Sequence, residues 1–495
     1  MRRILTPAIM KHILFTHPYF LELDPKQAGA GLPYPPLGTL YAASLVREHG
    51  YKVSLFDAMF ARSADELSPL LESGHPDYFV VYADGFNYLT KMCLTNMRDA
   101  TFRMIQIAKE QGCTVIVSSS DSTDHTDKYL SAGADFIING EAELTLLELV
   151  DALKDGNTRF EGIKGLAYRN EGVHTTPPRP VMKNWEELPF PAYDLINMES
   201  YRSTWLKNAG YFSLNIATTR GCPFHCNWCA KPIYGNRYTA RSVAHVVREL
   251  KQLQEQYHFD HLWFCDDIFG LKPGWVHDFA EAVAREGLSF TFKIQSRADL
   301  LLEENNIRDL ARAGCESVWM GAESGSQKIL DAMEKGTTVE QIGQATRLLK
   351  ENGIKACFFI QFGYPGETKT DIDLTILMIR ELLPHDIGIS VSYPLPGTRF
   401  YENVKASLGP KSNWTDSDEL ALMFGNTYPP AYYKQLHRYV HKTHRQHMAL
   451  DYLHSFWRHP TKATIGILKK VALFCYYLPA AHLAKIKLHQ LEQPV

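Results

Sequence analysis

Short apolar runs that end in polar or turn residues recur through the first third of the chain: HILFTHP (12–18), KVSLFDA (52–58), YFVVYAD (78–84), TVIVSSS (114–120) and DFIINGE (135–141). Runs of this length read as strands, and the stretches between them, LGTLYAASLVREHG among them, carry helical spacing. This alternation predicts a parallel sheet with helices on both faces and a ligand site at the carboxyl ends of its strands. A proline-rich stretch, TTPPRPVMKNWEELPFPAYD (175–194), interrupts the pattern and reads as a linker. A second series follows, with SLNIATTRG, HLWFCDD, FTFKIQSRAD, SVWMGAES, KACFFIQFG and IGISVSYPLPGT as strands. Six strands separated by helical segments predict a partial β/α barrel. After Phe400 the pattern becomes helical, basic and aromatic. The expected organisation is α/β: an open parallel-sheet domain over 1–155, a linker over 156–204, a partial (β/α)6 barrel over 205–400 and a helical, basic region over 401–495.

Composition narrows this picture. At 495 residues the chain exceeds one ordinary core, and 45% hydrophobic with 22% charged residues is the balance of a soluble globular protein. The net charge of −3 gives no reason to expect nucleic acid. From Ala431 onward, however, ten lysines and arginines face only Asp451 and Glu492. The nine cysteines are odd in number and clustered once, which argues against a disulfide framework and for a reducing cytoplasm. The start, MRRILTPAIMKHILF, is broken by Pro7 and Lys11 and runs into a strand, so no signal peptide is expected. No uninterrupted apolar run reaches spanning length, so no transmembrane helix is expected.

The cysteine cluster is GCPFHCNWC (221–229), with Cys222, Cys226 and Cys229 following the first barrel strand. Thiolates at close spacing favour zinc or an iron–sulfur cluster over hard cations. A structural zinc site needs a fourth ligand, and His225 lies too close in sequence to complete a relaxed tetrahedron. A four-iron cluster on three thiolates leaves one iron open for a non-protein ligand.

The run TTRGCPFHCNWC, with Trp228 before the last cysteine, resembles the radical S-adenosylmethionine superfamily. Further segments agree in order. CDDIF (265–269) falls where members place residues for the methionyl amino group, which implies Asp266 and Asp267. MGAESGS (320–326) resembles the ribose-contacting segment and implies Glu323. FGYPGET (362–368) resembles the glycine-containing segment near adenine and implies Gly363. Taken singly, the aspartates equally read as a strand-end turn and Glu323 as a helix cap. Four segments in order at successive strand ends do not read that way. The resemblance implies a TIM-type barrel, a [4Fe-4S] cluster, S-adenosylmethionine as the source of a 5′-deoxyadenosyl radical, and a low-potential donor of the flavodoxin or ferredoxin type.

The amino-terminal stretches PYPPLGTLYAASLVREHGYKVSLFDA (33–58) and INGEAELTLLELV (138–150) resemble the Rossmann-like cobalamin-binding domain of one branch of that superfamily. Within that branch the chain resembles the anaerobic magnesium-protoporphyrin monomethyl ester oxidative cyclases and the class B methyltransferases. Where relatives carry a Gly-Gly pair and a histidine, this chain has VSSSDSTDH, with Ser118 and Ser119 in the small positions and Asp121 near the histidine. Cobalamin is therefore expected without a histidine ligand from this loop, the alternative being a domain that keeps only the fold. Asp57, Tyr82, Asp84 and Asn87, near strand ends, read either as residues that face the corrin or as ordinary polar residues at strand ends.

In the tail, His437, His441, His444 and His447 recur at helical spacing, as either a metal face or a solvated basic helix. The apolar segment 463–489, broken by Lys469, Lys470 and Pro479, reads either as a core helix pair or as a peripheral membrane contact of a cytoplasmic protein. The expected activity is functionalisation of an unactivated carbon on a small, lipophilic substrate, by methyl transfer or alternatively by a cyclase-type oxidation of a tetrapyrrole or other substrate. Tyr393, Pro394 and Arg399, in SYPLPGTRF, read either as substrate-side residues or as parts of a rigid proline turn.

Overall fold

The computed structural model describes residues 10–86, 94–229, 233–458 and 465–492. Asn87 lies outside the described residues, as do the side chains of Lys469 and Lys470. The chain forms two compact units. One comprises Met1–Pro223, Lys231–Asp267 and Asn413–Glu419, the other Phe224–Ala230, Ile268–Ser412 and Leu420–Val495.

The first unit is built on strands β1 (His12–Thr16), β2 (Lys52–Phe56), β3 (Tyr78–Tyr82), β4 (Thr114–Ser118), β5 (Phe136–Ile138), β6 (Leu166–Arg169) and β7 (Val173–Thr175). They form one sheet in the order β2-β1-β3-β4-β5-β6-β7, with β1 to β5 parallel and β6 and β7 antiparallel. Phe79, Val80, Val81, Val115, Ile116 and Val117 are fully buried, so β3 and β4 read as unbroken apolar runs because both sheet faces are covered. The order reverses between β1 and β3, which makes the carboxyl ends of these strands the switch point where such sheets bind ligands. Helix α1 (Leu37–Glu48) follows β1, and α2 (Glu143–Lys154) follows β5. Part of the segment expected as linker, 156–204, is ordered here: β6 and β7 extend the sheet as a hairpin.

The same unit holds β8 (Ser213–Ile216), β9 (Thr219–Arg220), β10 (Thr239–Ala240) and β11 (His261–Phe264). Strands β8 and β11 pair in parallel, and β9 and β10 pair antiparallel on either side of the cysteine loop in sequence.

The second unit carries β12 (Thr291–Ser296), β13 (Cys315–Glu323), β14 (Lys355–Phe362) and β15 (Asp386–Val391), all parallel in chain order. Phe292, Ile294, Val318, Met320, Phe358, Ile360, Ile387 and Ile389 are buried at alternate positions. On the intervening positions Trp319 and Phe359 pack at 4.9 Å between ring centroids. Gly388 makes room for them, since a Cβ there would sit 3.2 Å from Trp319 and 3.3 Å from Phe359.

Two long helices close this unit, α3 (Pro430–Arg458) and α4 (Ile465–Gln490), joined by a Gln435 Nε2 bond to the Ala484 carbonyl at 2.9 Å. His444 is buried and bonded to the Pro384 carbonyl, and the His437 and His441 rings lie 4.4 Å apart. Among the described residues no helix is long and apolar enough to cross a membrane. Leu473, Tyr476, Leu478, Leu483 and Ile486 of α4 are exposed.

Candidate functional site

In the first unit, the residues leading into the cysteine loop are held one by one. Asp266, fully buried just after β11, accepts hydrogen bonds from the Thr218 and Thr219 amides at 2.6 and 2.9 Å, and from the Thr218 hydroxyl. Burial pushes its carboxyl pKa up to about 7 against the pull of these donors. Asp267, the next residue, is exposed. Arg220 bridges the Glu141 and Glu143 carboxylates at 2.6 Å each, and all three are at most 5% exposed. Its guanidinium lies 4.6–5.9 Å from the rings of Tyr41, Phe86, Trp185 and Tyr234, an aromatic surround suited to a cation. Gly221 adopts φ +75, and a Cβ there would fall 2.1 Å from the Arg237 carbonyl oxygen, so only glycine fits before Cys222.

The strand ends of the sheet form a narrow cleft lined by glycines, serines and a carboxylate, among them Gly38, Gly85, Gly140, Ser118, Ser119 and Glu143. Asp84 fixes one wall by accepting from the Gly38 amide at 3.0 Å and the Phe86 amide at 3.1 Å. Ser119 caps the helix Ser120–Asp124 in a reciprocal arrangement with Ser122. Asp57 accepts from His17 Nε2, the Tyr201 hydroxyl and the Met59 amide at 2.9, 2.9 and 3.1 Å. Asp57 and Asp84 are therefore both engaged in holding loops. Asp121 is gripped by Arg98 and by the Tyr129 hydroxyl at 2.6 Å. Burial alone would raise its pKa, and these partners instead hold it below the usual carboxylate range.

In the second unit, the cysteine loop is pinned through Asn227. Its amide donates to the Met333 carbonyl at 3.1 Å, its Nδ2 to the Ala332 carbonyl at 2.8 Å, and its carbonyl accepts from the Phe400 amide at 3.0 Å. Arg297, 5% exposed, stacks 3.7 Å from the Phe224 ring, is forked onto Asp299, and brings Nη1 to 4.0 Å from Cys226 Sγ. Lys335 pairs with Glu323 at 2.8 Å, both buried. Its pKa is raised, because the charges of Glu323 and Cys226 outweigh burial. Glu323 ends β13 in the left-handed region at φ +57, a strained position for a side-chain-bearing residue. Gly363, at φ +78, donates its amide to Glu367 at 2.6 Å, and its carbonyl accepts from Asn426 at 2.5 Å. The Trp228 indole N–H is buried without a partner, and His225 is exposed.

The donor set fits an iron–sulfur cluster by its chemistry. Cys222, Cys226 and Cys229 are partly accessible, and Cys226 has two cations beside it. By contrast Cys315 and Cys357 are buried, which pushes both thiols up, Cys357 to about 12. Among the described residues no three His, Cys, Asp or Glu side chains are gathered for a metal, the tail histidines included. Tyr393 is buried on leaving β15, and Arg399 pairs with Glu334 at 2.8 Å at the surface. The residues that sequence reasoning missed are Arg220, Glu141, Glu143, Asn227, Arg297 and Lys335.

The model of the Radical SAM superfamily matches residues 216–379. An uncharacterized methyltransferase of Pyrococcus horikoshii is 31% identical over 379 residues, 75% of this chain and 79% of that protein. The anaerobic magnesium-protoporphyrin IX monomethyl ester cyclase of Rubrivivax gelatinosus is 26% identical over 79% of this chain and 70% of its own. Among solved structures, the cobalamin-dependent S-adenosylmethionine radical enzyme OxsB with aqua-cobalamin bound has a TM-score of 0.73, at 16% identity over 97% of this chain and 73% of that one. The radical S-adenosylmethionine methyltransferase TsrM of Kitasatospora setae, with cobalamin and a [4Fe-4S] cluster bound, has a TM-score of 0.67, at 18% identity over 81% and 76%. At these identities the structural likeness shows the fold: mixed α/β, with parallel sheets, a TIM-like radical SAM region and helical regions.

Proposed function

The chain is an enzyme of the radical S-adenosylmethionine superfamily, and we propose that it uses cobalamin to methylate an unactivated carbon of a small, lipophilic substrate. The observation that carries the proposal is the presence, in one chain, of a pinned three-cysteine loop and a glycine- and serine-lined cleft at the switch point of a parallel sheet. When bound, the [4Fe-4S] cluster supplies the electron that cleaves S-adenosylmethionine, and cobalamin supplies a transferable methyl group.

The protein's own groups then have distinct duties. Cys222, Cys226 and Cys229 hold the cluster, with Arg297 and Lys335 balancing thiolate charge beside Cys226. Asp266 positions the approach to the loop, and Asp267, exposed beside it, serves the cosubstrate amino group. Glu323 serves the ribose, Gly363 the adenine, and Trp228 packs beside the cosubstrate. Ser118 and Ser119 leave room for the corrin, while Asp57 and Asp84 hold the surrounding loops. The Ile233 side chain also lines the cleft, with Cδ1 2.6 Å from where a Gly85 Cβ would be, so Gly85 leaves it room there.

A flavodoxin- or ferredoxin-type protein is the proposed electron source. The exposed apolar residues of α4 and the basic tail are the proposed contact with an anionic membrane. Flotation with anionic vesicles tests this, and protein left wholly in solution overturns it.

Methyl-deuterated S-adenosylmethionine, offered with lipids, tetrapyrroles and peptides to the anaerobically reconstituted protein, tests the reaction. A labelled product supports methyl transfer. A product changed in mass without label supports instead the cyclase-type reading, cyclase being the word in the name of the Rubrivivax gelatinosus relative. The Cys222/Cys226/Cys229→Ala variant is expected to lose the iron–sulfur absorbance.

A further inference from the structure

The cleft at the strand ends contains an imbalance. Two carboxylates, Glu141 and Glu143, share the single guanidinium of Arg220. Glu141 is satisfied at both oxygens, Oε1 by Arg220 and Oε2 by the Met182 amide. Glu143 is not. Its Oε1 receives Arg220, while its Oε2 is buried with no hydrogen-bond partner, on a side chain only 2% exposed that lines the cleft. A few residues earlier on the same loop, Asn139 Oδ1 is likewise a buried acceptor without a donor. Buried carboxylate oxygens are rarely left so, and a ligand that brings N–H donors resolves the deficit.

We infer that Glu143 Oε2 is a docking point for a primary-amide N–H on the rim of the corrin, and that Arg220 ties this contact to the first cluster cysteine. The inference rests on the cobalamin reading given above. Its physical basis is the placement of Glu143. It begins α2 at the carboxyl end of β5 and lines the cleft with Ser118, Ser119, Gly38 and Gly140, so an amide-fringed ring held there would come within its reach. Arg220 needs two anchors because it forms the short strand β9, which ends one residue before Gly221 and two before Cys222. The four-ring surround fixes the guanidinium plane, so displacement of Glu143 is felt at the strand that presents Cys222. Glu143 is thus a binding residue on α2 and Arg220 a positioning residue on β9, and neither takes part in bond making.

The test uses the full chain, reconstituted anaerobically, with hydroxocobalamin as the probe and Glu143→Gln and Glu141→Gln as variants. Affinity is read by quenching of tryptophan fluorescence, folding by thermal melts, and the cluster by iron content and the electron paramagnetic resonance of its reduced form. Replacing an acceptor by an amide at Glu143 is expected to weaken cobalamin binding about ten-fold or more, the scale of one hydrogen bond to a charged group. Glu141→Gln is expected to lower the melting temperature and leave the affinity of the folded fraction near wild type. Loss of affinity in both variants in proportion to lost stability shows a merely structural triad and overturns the inference. Equal affinity of wild type and Glu143→Gln overturns it too, while the cofactor reading stands. A wild-type chain that takes up no cobalamin overturns both.

Discussion

The Tyr364 hydroxyl lies 2.9 Å from Asn227 Oδ1, joining the FGYPGET segment to the residue between the second and third cysteines of GCPFHCNWC. The same hydroxyl is 2.9 Å from the Ala332 carbonyl, which also accepts from Asn227 Nδ2, so three polar groups close one small network. The conformation of the cysteine loop is thus set from outside the loop. Tyr364→Phe is expected to cost about 1 kcal/mol, the usual net worth of a hydrogen bond. Asn227→Ala, which strips both side-chain bonds, is expected to cost about 2–3 kcal/mol by the same measure. Iron retention after gel filtration should fall in the order wild type, Tyr364→Phe, Asn227→Ala. Equal retention in all three would show that the loop is held by its ligands alone.

Asp266 acts on the other flank of the motif, through the Thr218 and Thr219 amides and the Thr218 hydroxyl. Asp266→Ala leaves three buried donors without an acceptor, each worth about 1–3 kcal/mol when orphaned. Asp266→Asn keeps one oxygen for the amides and lets the threonine hydroxyl turn round to accept, so its cost should be clearly smaller. Denaturant midpoints separate the two variants. A similar loss in both would mean that the negative charge matters more than the donor count.

Parts of this site were legible in the sequence for reasons of locality. The runs YFVVYAD and TVIVSSS announce β3 and β4 because parallel strands buried on both faces have no polar alternation to hide them. The three cysteines sit within one loop, so their spacing is visible without a fold. Arg220 carried no such signal, since its partners Glu141 and Glu143 lie 79 and 77 residues away. Asp57 was expected to face a ligand because it ends a strand. Its Oδ2 instead takes the hydroxyl of Tyr201, 144 residues on, a pairing that no periodicity encodes. The hairpin of β6 and β7 was missed because VHT is wholly exposed and LAYR is short, which leaves no apolar pattern to read.

Gly221 offers a backbone test of the motif. At φ +75, with a Cβ position 2.1 Å from the Arg237 oxygen, alanine must displace the β9–β10 ribbon. Strain of this kind costs about 1–3 kcal/mol before any clash is counted. Gly221→Ala should therefore lower both the unfolding midpoint and the iron content. By contrast Gly235, at φ +61 with open space around its Cβ position, should tolerate alanine with a smaller loss. Equal behaviour of the two variants would remove the steric argument.

Glu367 supplies a prediction in pH. Its Oε2 accepts from the Gly363 amide at 2.6 Å, while its Oε1 is buried without a partner. Burial pushes the carboxyl pKa up from 4.5 to about 8, with the charge of Asp371 adding to the rise. Between those values the folded chain keeps a proton that the unfolded chain has released. The contribution of this group to stability is therefore full below the lower value and is lost as pH rises toward 8. Glu367→Gln keeps an acceptor for Gly363 and removes the titration. Its melting temperature relative to wild type should rise between pH of about 5 and about 8.5, by an amount equivalent to a few kcal/mol at most. A difference that does not change with pH would show the wild-type carboxylate to be ionised throughout, and the Gly363 loop to be held by a charge.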